Sequence, residues 1–217
     1  MSKKKYILLI STVYTICLGL IVLTFIAGYV YHIPFEKITG DPANYYNAHP
    51  FTGIVSNIGA LMWCSTSSIC LFVGLLLNRK GIKREASFLL SSSIFTFILL
   101  IDDFFMFHDF IFYSFQGLTM EPIIFIIYAF LLIRYCISYF KIIIENNYYI
   151  FSAAIIFLGL SVILDLYFPS EGLEYFVEDS LKLMGIASWM LYFTTTSYHL
   201  LSEKTFISYK KNVPNKN

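Results

Sequence analysis

The stretch ASFLLSSSIFTFILLIDDFFMFHDFIFY, residues Ala86–Tyr113, decides how this chain is read. It is long enough to cross a bilayer, which takes about 20 predominantly apolar residues. Between positions 102 and 109, however, it carries Asp102, Asp103, His108 and Asp109. A charge near the bilayer centre costs roughly 2.5–3.5 kcal/mol on insertion scales. Three carboxylates in one span need partners, so this segment points to the functional site.

The rest of the chain supports a membrane reading. It is 58% hydrophobic and 13% charged, with a mean hydropathy of +0.70. Soluble domains are about 25% charged and about 45–50% apolar. Six apolar runs are long enough to span: Tyr6–Val30, Phe51–Leu77, Ala86–Tyr113, Pro122–Phe140, Tyr148–Phe168 and Phe176–Leu201. The first is longer than a signal-peptide core, and no small-x-small cleavage site follows it, so it reads as a retained helix. The expected fold is all-α, a multi-pass bundle of six transmembrane helices over residues 1–203. A cytoplasmic tail without regular structure is expected over 204–217. Every proline lies in a loop, in the tail or at a helix end, which predicts unbroken helices rather than the interrupted spans of many transporters.

Charge sets the orientation. Lys3, Lys4, Lys5, Arg79, Lys80, Lys83, Arg84, Lys141, Lys204, Lys210, Lys211 and Lys216 all fall on one side of the alternating spans. Arg134 is placed to snorkel to that side, and the opposite loops hold only Lys37. The positive-inside rule puts both termini in the cytoplasm of a cell membrane. Most acids show the mirror image. Only Glu85, Glu145 and Glu203 fall on the cytoplasmic side, and the others lie in outer loops or in spans from mid-membrane outward.

Several helices thus offer polar groups to one outer layer. The third span contributes Asp102, Asp103, His108 and Asp109, the fourth Glu121, the fifth Asp165, and the sixth Glu178, Asp179 and Lys182. On the second span, Gly53, Asn57, Ala60, Cys64 and Ser67 recur at i+3/i+4 and predict a close-packing seam, with Asn57 at the depth of the polar layer. Trp189 shares the polar stripe of the sixth span with Glu178 and Lys182. At 1.5 Å per residue, a span reaching Tyr113 puts Asp102 and Asp103 about 15 Å deep.

Several carboxylates with one imidazole suit a hard or borderline divalent ion such as Zn, Mg, Mn or Fe. The ligand candidates are Asp103, His108, Asp109, Glu121 and Asp165. Asp102, His108, Glu178 and Lys182 are the candidates for acid–base catalysis, and Asn57, Asp179 and Trp189 for lining the pocket. The leading expectation is a metal-dependent membrane enzyme, a hydrolase or transferase of a lipid-like substrate. The alternatives are a proton- or cation-coupled transporter, a solute-binding subunit, and an accessory protein with a structural polar network. The expected partners are the lipid bilayer and a lipid-like or small cationic ligand, with no nucleic acid. The four cysteines, Cys17, Cys64, Cys70 and Cys136, lie within spans and form no CxxC pair, so they read as small packing residues.

The orientation is checked by cysteine labelling in cells. A cysteine introduced at His49 should react with a membrane-impermeant maleimide from outside, whereas one introduced at Lys80 should not. The reverse pattern would reject the alternation of charges.

Overall fold

The computed structural model describes residues 3–34, 37, 46–49, 51–106, 121–167 and 172–212. Six helices follow one another: α1 (Lys3–Val30), α2 (Ile54–Arg79), α3 (Lys83–Phe105), α4 (Glu121–Glu145), α5 (Tyr148–Tyr167) and α6 (Gly172–Asn212). There is no strand among the described residues. Helices α2, α3, α4 and α5 are each long and apolar enough to cross a membrane.

The chain divides into two compact units, Met1–Gly53 and Ile54–Asn217. The first is built on α1, which shows apolar side chains on every side, among them Leu8, Leu18, Leu20, Ile21 and Phe25. Its Thr12 and Thr24 hydroxyls bond back to the carbonyls of Leu8 and Ile21, so these polar groups are satisfied within the helix.

The second unit holds the other five helices. Between α2 and α3 the chain reverses through Gly81, whose φ of +79° suits a residue without a Cβ. Between α4 and α5 it reverses through Asn147 at φ +46°, a residue that tolerates the left-handed region. Paired residues give the register of the bundle. Ser67 and Ser93 each donate a hydroxyl to the other's backbone carbonyl, at 3.0 and 2.9 Å. The Tyr135 and Ser92 hydroxyls meet at 2.6 Å. The Tyr139 hydroxyl lies 2.8 Å from that of Ser87 and 3.0 Å from that of Ser91. At the far end, His199 Nδ1 lies 3.1 Å from the Asn146 Oδ1. The Asn146 side-chain N–H donates to the Ile142 carbonyl, so its oxygen is left to accept from the histidine.

Helix α6 is the axis of this unit. Trp189, Tyr192, Phe193, Thr196, Ser197 and Leu200 are all buried. The Trp189 Nε1–H donates to Thr96 Oγ1 at 3.0 Å. Around its indole stand Trp63, Phe95, Phe151 and Phe193, with ring centroids 4.9 to 6.0 Å away. These separations suit edge-to-face and offset aromatic packing.

Four expectations change. First, α3 closes at Phe105, because Met106 takes the left-handed conformation and donates its N–H to the Asp102 carbonyl. Asp102 and Asp103 therefore sit in the last turn of the helix, not at mid-span. Second, the seam of α2 uses Ala60, Ser67 and Gly74, at heptad spacing, while Asn57 and Cys64 are exposed. The buried face is turned because α2 serves two neighbours: Ser67 and Gly74 meet α3, and Gly59 meets Ile186 of α6. Third, α4 is not unbroken, since Tyr139 has non-helical backbone angles (φ −116°, ψ 15°). Fourth, α6 extends to Asn212, through most of the stretch read as an unstructured tail. No proline interrupts that stretch before Pro214, so the chain meets no steric barrier to helix there.

Close helix approach makes a specific glycine indispensable. A Cβ on Gly185 would lie 2.7 Å from Leu158 Cγ and 2.9 Å from the Leu158 backbone nitrogen. At Gly159, one residue further along α5, a Cβ would meet nothing within 4 Å. Gly185→Ala should destabilise the bundle by about 1–3 kcal/mol. Gly159→Ala should be neutral, or stabilising by up to about 1 kcal/mol. Thermal unfolding of the detergent-solubilised protein, followed by circular dichroism, compares the two variants directly.

Candidate functional site

Within the Ile54–Asn217 unit, α3 and α5 finish where α2, α4 and α6 begin. This is the acidic end of the bundle. Helix α3 delivers Asp102 and Asp103 in its last turn, and α5 delivers Asp165 in its last turn. Early in α6 come Glu178, Asp179 and Lys182. Asp102, Asp103, Asp165, Glu178 and Lys182 line one cavity of about 330 Å³, together with Tyr128 and Ser161. Its floor is apolar, with Trp63, Phe95, Leu132, Ile155 and Trp189. The Trp189 N–H is taken by Thr96, so the indole presents an apolar ring to the cavity.

The electrostatics of the rim follow from helix polarity. A carboxylate in the last turn of a helix faces the negative end of the macrodipole, an unfavourable position. Asp103 occupies such a position, and its side chain is only 10% exposed. The Lys182 ammonium offsets this by forming a salt bridge with it. Asp179 and Glu178 are close enough to act on Lys182 electrostatically, and Asp165 and Asp103 act on Asp179. Asp102 is buried, at 7% exposure, and shares a hydrogen bond with Tyr128 of α4. That hydroxyl is the donor if Asp102 is ionised.

The Asp102–Tyr128 pair is also a wall. On its far side lies a second cavity, of about 430 Å³, lined by Phe97, Ile98, Ile101, Ile124 and Ile127. Both cavities include Asp102 and Tyr128, so the pair stands between the acidic chamber and an apolar groove along the α3–α4 seam.

The structure thus brings together Asp102, Asp103, Asp165, Glu178, Lys182 and Trp189, and it leaves others aside. Asn57 is exposed and does not line the cavity, because the face of α2 turned inward here carries Trp63. Asp179 reaches the site through the field of Lys182 and does not form its wall. Glu121 opens α4, but its side chain lies outside the described residues, as do His108 and Asp109 entirely. Among the described residues, no group of three His, Cys, Asp or Glu side chains is arranged to hold a metal ion. Asp103, expected above as a metal ligand, forms its salt bridge with Lys182.

Sequence reasoning did not single out Tyr128 or Trp63 as site residues. The heptad relation of Tyr128 to Tyr135 was the available signal for the first, since Tyr135 is buried against Ser92 of the same neighbouring helix. A lone Trp63 carried no such signal.

Four long apolar helices mark the chain as a helical membrane protein. The chain belongs to the family described as a domain of unknown function (DUF8692), whose model matches residues 13–196. That match extends from α1 into α6 and includes every candidate site residue. No curated protein and no solved structure matches the chain.

The Lys182–Asp103 bridge should be coupled to folding. Replacing Lys182 with Met leaves a largely buried carboxylate without its ammonium, and should cost about 1–3 kcal/mol, below the 3–5 of a fully buried pair because Lys182 is partly exposed. Adding Asp103→Leu should recover part of that loss. A double-mutant cycle in thermal or denaturant unfolding measures the coupling, and additive effects would show that the bridge contributes nothing.

Proposed function

We propose that this chain is a six-span protein of the cell membrane, with both termini in the cytoplasm, that binds a lipid-like amphiphile through a cationic head. The observation that carries this reading is the division of one cavity into an acidic rim and an aromatic, aliphatic floor. A cavity of about 330 Å³ falls in the range of small-molecule sites, about 300–1,000 Å³. It accommodates a head group and the first part of an apolar chain. Carboxylates outnumber the one ammonium on the rim, which favours a positively charged guest. Asp165 and Glu178 face the head, and Trp63, Phe95 and Trp189 face the hydrocarbon.

The alternation of basic and acidic ends supports the orientation. Arg79, Lys80, Lys83, Arg84 and Lys141 cluster at the end opposite the cavity, and such clusters stay cytoplasmic. The rim then opens on the outer side. The apolar groove along the α3–α4 seam supports entry from the lipid, with the Asp102–Tyr128 hydrogen bond as the element that must part. An organic cation suits this rim better than a divalent metal, since Lys182 already neutralises Asp103. Binding is accordingly the activity assigned, in place of metal-assisted hydrolysis.

The test compares long-chain ligands on the purified full chain in lipid nanodiscs. A long-chain primary amine should bind about ten-fold more tightly than the chain-matched alcohol, the effect of about one charge-assisted hydrogen bond. The Asp165→Asn, Glu178→Gln double variant should lose that preference. Gly159→Trp, which fills open space beside the floor, should weaken both ligands. Equal binding of the chain-matched fatty acid would overturn the proposal, and so would a stoichiometric divalent metal retained by the purified protein.

A further inference from the structure

The α3–α4 seam holds a third cavity, nearer the basic end. It has a volume of about 350 Å³ and is lined by Ser91, Ile94, Arg134, Ser138 and Tyr139, among others. Arg134 and Ser138 are one turn apart on the exposed side of α4. Arginine in a membrane span is rare and costly unless it is paired. Among the described residues, no carboxylate lies within ion-pair distance of its guanidinium. The nearest acid on the same helix, Glu145, lies 3.9 Å from Lys141.

Arg134, expected above to snorkel, lies two turns, about 10 Å along the axis, short of Lys141, where charge resumes on α4, so its side chain covers only part of that distance. Residues with hydroxyls lie between. The kink at Tyr139 goes with a hydroxyl set against Ser87 and Ser91 of α3, and Ser138 stands beside Arg134. Arg134 thus shares the lining of one groove with Ser91, Ser138 and Tyr139, between apolar walls that include Ile94 and Leu131.

We infer that this groove binds an anionic phospholipid, with the phosphate on Arg134 and an acyl chain along the α3–α4 seam. The planar guanidinium fork matches two phosphate oxygens. Ser138 and Ser91 supply further donors, and Arg79, Lys80, Lys83 and Arg84 at the same end add an attractive field for anionic lipid. The site is separate from the acidic chamber: it has the opposite charge and lies nearer the other end of the bundle. It depends on the chain lying in a bilayer and not on what the chamber binds.

Native mass spectrometry of the full chain, released from mixed micelles, tests the inference. Phosphatidylglycerol should be retained over phosphatidylcholine of the same acyl chains by about five-fold, the ratio given by about 1 kcal/mol per basic residue. Arg134→Gln should bring the ratio close to one. Arg134→Lys should keep the charge but lose the fork, and give an intermediate ratio. Ser138→Ala should weaken retention without abolishing it. Circular dichroism of each variant reports folding, and if Arg134→Gln does not fold, the Arg134→Lys and Ser138→Ala ratios decide. Undiminished phosphatidylglycerol preference in the variants, or equal retention of the two lipids by the unmodified protein, would overturn the site. Retention that millimolar inorganic phosphate abolishes would also overturn it, because the acyl chain would then contribute nothing. Binding of the long-chain amine should be unaffected by Arg134→Gln, so this site and the acidic chamber fail or stand separately.

Discussion

The bundle is organised by the partners that polar side chains of α6 find on its neighbours. This helix carries Glu178, Asp179, Lys182, Thr196, Ser197 and His199 along with Trp189 and Tyr192. A charge or an indole N–H taken out of water is costly unless it is partnered, so Lys182 and Trp189 need groups on other helices. The contacts that set the register follow its length. Lys182 meets Asp103, Trp189 meets Thr96, and His199 meets Asn146. Those partners sit on α3, α3 and the α4–α5 turn, so one helix aligns the rest.

The cavity follows from the same requirement. Charged groups gather at one end of the bundle because α3 and α5 finish there and α6 begins there. Below them the close-packed aromatic layer around Trp189 begins. Between the charged rim and the aromatic layer, Gly159 leaves open space and Leu132 and Ile155 do not close it. A chamber with a charged end and an apolar end results. The α3–α4 seam is the side on which further cavities occur.

Some of this was legible along the chain. Long apolar runs announce helices, and short connections such as Lys80–Ile82 force antiparallel neighbours. The carboxylates of three separate runs, with Lys182, were recognisable as one layer because their distances from the run ends agree. Other features were hidden. The seam of α2 was assigned from small residues alone, and that pattern cannot tell which of two neighbours a face serves; Asn57 and Cys64 turned out to be exposed. The end of α3 was placed at Tyr113 because aromatic residues continue the apolar run, whereas the helix stops where Met106 adopts a left-handed turn.

What the residues state unaided is the class of protein: hydropathy and charge alternation depend on local composition and on the solvent the chain must meet. Folding determines which charges become neighbours. Asp103 was read as a metal-ligand candidate, and its salt bridge with Lys182 came into view only with the rotation of α6. Tyr128 gained its role only when α4 faced the last turn of α3. Pairing across helices depends on rotation and register, and a single residue of register turns a helix face by about 100°. The line of residues along one helix does not carry that information.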